Sequence, residues 1–195
     1  MDLKGKKIIL GSGSPRRKEL LAGMDIEFTV DTGNDFEESL EPWAEPYDVP
    51  LHMALGKSHG FHRPLFPDEI LITADTVVIP DYGISVLGKP HSRAEAAAML
   101  RQLSGRTHEV VTAVVIRDSA KEVSFRDSTE VTFGELGDDE IHYYIEKYRP
   151  FDKAGAYGVQ EWIGYIGISR INGSFYNVVG FPVYEVWKRL KEFIG

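Results

Sequence analysis

The chain has 195 residues, 43% hydrophobic and 27% charged, which suits one soluble globular domain, or one with a sub-lobe, and a real core. Its 22 basic and 30 acidic side chains give a net charge of −8, which disfavours long nucleic acids but leaves room for a small phosphorylated ligand in a local basic pocket. No apolar run reaches transmembrane length, "MDLKGKK" lacks the apolar stretch of a signal peptide, and no cysteine supplies a disulfide or thiolate, so a cytoplasmic protein with no membrane partner is expected.

In chain order, "KKIIL" reads as a short buried strand. "SPRRKELLA" reads as a helix with Ser14 as N-cap, Pro15 at the first position and Gly23 as its stop. "IEFTVDT" alternates as a strand does, and the acidic, proline-rich 33–50 reads as a loop. A helix is expected over about 51–60. Strands are expected at "EILITADTVVIP" and "GISVLGKP", joined by a turn at "PDYG". Ser92 and Glu95 form a capping box before "AEAAAMLRQL". "HEVVTAVVIR" and "EVSFRDSTEVTF" predict a long hairpin turning at "DSAK". Asp138 or Asp139 opens a helix that Pro150 ends, "FDKAGAYGVQ" is a loop, "YIGISRI" a strand, "NGS" a turn, and Pro182 opens a last helix. Alternating helices and strands with an antiparallel pair predict an α/β protein with an elongated, twisted mixed sheet.

The helix start "GSGSPRRKELLAG" poses a question of charge. Arg16 and Arg17 stand in the first turn, where the helix dipole is positive and acids are preferred. A glycine-bearing turn between strand and helix is a natural anion site, and arginines make forked contacts with phosphate. The Gly-Lys-Ser/Thr ending of a Walker loop is missing, and Arg16 stands where a dinucleotide fingerprint needs its third glycine. The alternative is that both arginines point into solvent. Asp75 and Thr76 interrupt an apolar strand; such a carboxylate needs a cation, a metal or a set of donors. Lys57, Lys89 and Lys153 lie beside glycine or small residues, with Lys89 and Lys153 in loops. His59 and His62 have a spacing a metal could use on a helix, but no third ligand is evident nearby. "YIEKYRPF" reads as packing rather than as a base-stacking platform.

"GSGSPRRKELL", "ITADTVV", "LGKP", "LSGRTHEVVTAV", "DKAGAYGVQ" and "INGSFYNVVGFP", in this order, resemble the Maf family of nucleoside triphosphate pyrophosphatases, within the inosine-triphosphatase-like superfamily. The resemblance spans nearly the whole chain and implies a single domain over 1–195 with an active-site cleft between two lobes. "GRTHEVVTAV" and "DKAGAYGVQ" resemble the branch acting on dTTP and UTP rather than that preferring 7-methyl-GTP. Gly11, Val159 and Glu161 depart from the usual alanine, isoleucine and glycine; Glu161 adds charge near the expected base pocket.

The resemblance implies that Asp75 is the proton acceptor and that Arg16, Thr76 and Gln160 set substrate specificity. Ser12, Arg17, Lys57, Lys89 and Lys153 fall on polar cleft positions suited to phosphate. Asp75 and Glu38 are the expected ligands of a divalent cation, Mg²⁺ or Mn²⁺. The implied reaction converts dTTP, UTP or modified pyrimidine nucleotides to the monophosphate and pyrophosphate. A homodimer is expected by resemblance alone. The competing readings are a nucleotide-binding inhibitor of septum formation without turnover, and a nucleic-acid module using Arg16 and Arg17, which the charge of −8 opposes. If the arginines serve a ligand, replacing both with glutamine is expected to preserve or raise the melting temperature.

Overall fold

A computed structural model describes residues 2–37, 45–80 and 83–195. The elements are β1 (Lys7–Leu10), α1 (Pro15–Ala22), β2 (Phe28–Val30), α2 (Val49–His59), β3 (Glu69–Ile79), α3 (Arg93–Leu103), β4 (Thr107–Arg117), β5 (Glu122–Phe133), α4 (Asp138–Tyr148), α5 (Trp162–Gly167), β6 (Ile168–Asn172), α6 (Phe175–Val179) and α7 (Val183–Ile194), with a 3₁₀ turn at Ala154–Ala156. The strands form one mixed sheet in the order β2-β1-β3-β4-β5-β6. β1 runs parallel to β2 and β3, whereas β5 and β6 are antiparallel with a bulge between Thr132 and Phe133. The hairpin of β4 and β5 is closed by Asp118 N–H on the Lys121 carbonyl at 3.0 Å and by Phe133 N–H on the Arg106 carbonyl at 2.9 Å.

The chain divides into two compact units. The first comprises Met1–Asp75, Thr112–Asp127 and Gly180–Gly195, and the second Thr76–Val111 and Ser128–Val179. In the first unit, β1 and β3 are covered on both faces, which explains their apolar runs Ile8–Leu10 and Ile70–Ile72. Ile8, Leu10, Ile70, Ile72 and Ala74 pack with Leu21 of α1 and with Val186, Leu190 and Phe193 of α7. Ile9 and Leu71, one residue out of phase, pack with Phe61 and Leu65. In the second unit α3 packs on α4, and Leu100, Leu103, Ile141 and Tyr144 are buried.

Helix starts follow the local chemistry. Ser14 Oγ caps α1 by accepting from the N–H of Arg17. Ser92 Oγ accepts from the N–H of Glu95 at 3.1 Å, but the Glu95 carboxylate returns to the N–H of His91, one residue before the cap. Glu140 accepts from Gly137 N–H at 2.8 Å, which makes Gly137 the cap of α4. That helix ends one residue before Pro150, at Arg149 in the left-handed region (φ 49°).

Three strand expectations are revised. "IEFTVDT" contributes only Phe28–Val30. "GISVLGKP" makes an isolated bridge between Leu87 and Val78 instead of a strand; Gly83, Gly88 and Pro90 interrupt it, and Ile84 is 83% exposed. In "YIGISRI" the first three residues complete α5, so β6 begins at Ile168. A Cβ on Gly167 would stand 2.9 Å from Leu136 Cδ2, so glycine permits this close passage. No helix among the described residues is long and apolar enough to cross a membrane.

Candidate active site

In the first unit the parallel register places two expected groups at one edge. Leu10 pairs with Ile72, and Gly11 N–H donates to the Ile72 carbonyl at 2.8 Å. The turn from β1 to α1 therefore starts beside the stretch Thr73–Asp75, through which β3 continues past the end of its shorter partner. A Cβ on Gly11 would stand 2.9 Å from Thr73 Cγ2, so the alanine usual in the related family would require that contact to shift.

Asp75 has the cation its setting demands. Lys57 Nζ stands 2.7 Å from Asp75 Oδ1, with both side chains about one-fifth exposed. Local geometry explains the meeting. Thr73 Oγ1 donates to the Ala54 carbonyl at 2.8 Å and fixes α2 against β3. Asp75 lies two residues beyond Thr73 on the same strand face, and Lys57 lies one helical turn beyond Ala54.

Ser12 and Arg17 also meet. Arg17 donates one guanidinium nitrogen to Ser12 Oγ at 3.3 Å and its Nε to the Gly180 carbonyl at 2.9 Å. Ser12 Oγ also accepts from Ser14 N–H at 3.3 Å. Arg17 is thus a structural tie as well as a candidate phosphate contact. Arg16 is half-buried on the same turn.

In the second unit, loops hold the other expected residues. Val78 and Leu87 exchange backbone hydrogen bonds, and Gly155 N–H donates to the Gly88 carbonyl at 3.0 Å. The loops of Lys89 and Lys153 are thereby tied together, close in sequence to Thr76. Gly155 has φ 67°, and a Cβ there would meet Val78 Cγ2 at 2.9 Å; Ala156 follows with φ 60°. Two consecutive left-handed residues, one of them alanine, store strain in this loop. Lys89 and Gln160 are exposed, and Thr76 is half-buried.

Lys153 is buried between two carboxylates, 2.8 Å from Asp152 Oδ1 and 3.0 Å from Glu161 Oε1. The Tyr144 hydroxyl donates to Glu161 Oε2 and accepts from Gly158 N–H at 3.0 Å. Burial first, and the adjoining Glu161 carboxylate second, push the Tyr144 hydroxyl well above the ordinary tyrosine range, so it remains a donor. Sequence reading gave the aromatic run of α4 to packing and missed this role. The available signal was that a buried tyrosine hydroxyl needs a partner.

The histidine pair divides between different acids. His59 ends α2 and its Nε2 stands 2.8 Å from Glu122, while His62 Nε2 stands 3.0 Å from Asp31. Among the described residues, no group of three or more histidine, aspartate and glutamate side chains is arranged to hold a metal ion. Glu38, the second expected ligand, lies outside the described residues.

The family model described as "Maf-like protein" matches residues 7–193. A dTTP/UTP pyrophosphatase of Porphyromonas gingivalis is 53% identical over 194 residues, covering 98% of this chain and 96% of that one. One of Parabacteroides distasonis is 49% identical, with 98% of each chain covered. A third, of Cytophaga hutchinsonii, is 46% identical, covering 97% of this chain and 85% of the relative. The solved structure of a HAM1 protein from Coxiella burnetii covers 96% of this chain and 99% of that chain with a TM-score of 0.49 at 15% identity.

Proposed function

This chain belongs to the Maf-like protein family, and we propose that it hydrolyses dTTP and UTP, with modified pyrimidine nucleotides as further substrates, to the nucleoside monophosphate and pyrophosphate. Full-length relatives of about half-identical sequence carry the name of that activity. The structural observation that carries the reading is the Lys57–Asp75 pair, on β3 just past the point where β1 ends and the Ser12–Arg17 turn begins.

Water is a poor nucleophile, and Asp75 is the base that takes its proton. Lys57 holds the Asp75 carboxylate in place and contributes charge against phosphate. Ser12 and Arg17 are the other phosphate contacts of the first unit, and Lys89 and Lys153 have that role in the second. Arg16, Thr76 and Gln160 set substrate choice; Gln160 offers both a donor and an acceptor, as reading a pyrimidine edge requires. Preorganised cations favour the pyrophosphate leaving group because negative charge accumulates on it in the transition state.

A hard divalent ion, Mg²⁺ or Mn²⁺, fits this donor chemistry. Such an ion is commonly held by one or two carboxylates with the substrate's own phosphates, and needs no protein cage. Asp75 is the ligand assigned among the described residues, with Glu38 as the second. When bound, the ion offsets the repulsion between the carboxylate and the phosphates.

The test is pyrophosphate release from dTTP, UTP, CTP and GTP with Mg²⁺, repeated with Asp75→Asn. Loss of a general base lowers turnover by about 10²- to 10⁴-fold, and undiminished turnover would refute the role of Asp75. Tight nucleotide binding without pyrophosphate release in the unaltered protein would favour a non-catalytic division inhibitor instead.

A further inference from the structure

The two carboxylates on Lys153 are not equivalent. Asp152 is its sequence neighbour, and its side chain is 54% exposed. Glu161 lies eight residues further along, its side chain is 24% exposed, and both its oxygens are engaged, Oε1 by Lys153 and Oε2 by Tyr144. Tyr144 is fully buried on α4 and is itself fixed by Gly158 N–H. The position of the Lys153 ammonium is therefore referred, through Glu161, to a rigid helix.

Gly158 completes the arrangement. A Cβ there would stand 2.9 Å from Glu161 Cδ and 3.0 Å from Lys153 Cε. Glycine leaves room for the two side chains to meet, so this ion pair is built into the loop and is not an incidental surface contact.

We propose that Glu161 is a positioning residue for dTTP and UTP hydrolysis, acting through Lys153. It has two effects on one cation. It immobilises the ammonium, so that little reorganisation is needed as charge develops on the phosphates. It also sets a carboxylate beside that ammonium, which keeps the cation from being spent on ground-state affinity. This rests on the reading of Lys153 as a phosphate contact in a pyrophosphatase.

The signature is a split between kcat and KM. Glu161→Gln keeps the side-chain shape and an acceptor for Tyr144 but removes one of the two negative charges on Lys153, leaving only its more exposed neighbour Asp152 to hold the ammonium. It lowers kcat about tenfold through misplacement of the cation, while KM does not rise. Lys153→Met and the double variant Lys153→Met/Glu161→Gln then share the same kcat, because residues acting as one unit are non-additive.

A second readout needs no turnover. Acylation of Lys153 by an amine-reactive ester, followed by peptide mass spectrometry without nucleotide, is expected to be about tenfold faster in Glu161→Gln than in the unaltered protein, in proportion to the rise in reachable amine. Should Glu161→Gln melt early, Tyr144→Phe frees one carboxylate oxygen, leaves the charge, and must lower kcat in the same direction. Equal kcat losses from Glu161→Gln in both Lys153 backgrounds, a rise in KM alone, or an unchanged acylation rate would each overturn the proposal. An unaltered protein that turns over neither dTTP nor UTP overturns the underlying function instead, and the acylation rate still decides whether Glu161 holds Lys153.

Discussion

His108 makes the stability of the second unit depend on mild acid. It lies on β4 at 2% exposure, with Nε2 2.7 Å from the Tyr157 hydroxyl and the Phe133 ring stacked at 5.5 Å. Its Nδ1 is buried with no hydrogen-bond partner. Burial lowers its pKa from 6.5 to about 4. Below 6.5 the unfolded chain takes up a proton that the folded chain refuses until about 4, so the unfolded state binds more protons and stability falls as the pH drops through that window. The full gap corresponds to about 3 kcal/mol, and about 2 kcal/mol of it is lost between pH 7.5 and pH 5. Against a typical stability of roughly 5–15 kcal/mol this is a readable fraction. Urea unfolding at the two pH values measures the total, and the same pair on His108→Gln isolates the histidine, because glutamine does not titrate. The variant is expected to lose about 2 kcal/mol less than the unaltered protein. An imidazole resonance of His108 that titrates near 6.5, or an acid slope unchanged by His108→Gln, would refute the reasoning.

Two substitutions test the loops that hold the remaining candidates. Arg17→Gln removes a charged donor from the Gly180 carbonyl and from Ser12, for a loss of about 1.5 kcal/mol, or about 4 °C of melting temperature by thermal denaturation; Arg16→Gln, freed of dipole repulsion, is expected to stay within about 1 °C or to rise. Gly155→Ala places a Cβ 2.9 Å from Val78 Cγ2 at φ 67°, and a destabilisation of about 3 kcal/mol is expected in urea titration, with turnover falling alongside.

Local chemistry in the sequence carried much of this architecture. Ser14 before Pro15, Ser92 as the cap of α3, and the turn between Asp118 and Lys121 act over a few residues, and each stands where the pattern put it, although the Glu95 carboxylate returns to His91 instead of Ser92. The apolar residues on either side of Asp75 in β3 also made its carboxylate conspicuous. What local pattern does not encode is competition for edges and distant partners. "GISVLGKP" has strand-like residues but, among the described residues, pairs through a single bridge between Leu87 and Val78. Nothing in the spacing of Tyr144, Lys153 and Glu161 marks a hydrogen-bonded chain, because α4 and the loop after it meet only through the tertiary fold. The same holds for Lys57 and Asp75, whose pairing depends on Thr73 fixing α2 at Ala54.

The two arginines at the start of α1 show how a local conflict and a tertiary solution coexist. The first turn of α1 has no acidic residue, so Arg16 and Arg17 stand where the helix dipole favours acids instead. Part of the answer comes from Gly180, 163 residues away, whose carbonyl accepts from Arg17 Nε at 2.9 Å. Ser12 gives a second acceptor, held in place by the Ser14 amide. A helix N-terminus already favours an anion, and the arginines add positive charge beside it. Arg17 is thus oriented before any phosphate arrives, which lowers the ordering cost of binding one. Where the sequence alone predicts a melting temperature preserved or raised when both arginines are replaced, the Arg17 contacts lead to an expected loss by thermal denaturation. The loss belongs to Arg17 and its distant carbonyl, and the relief from dipole repulsion belongs to Arg16.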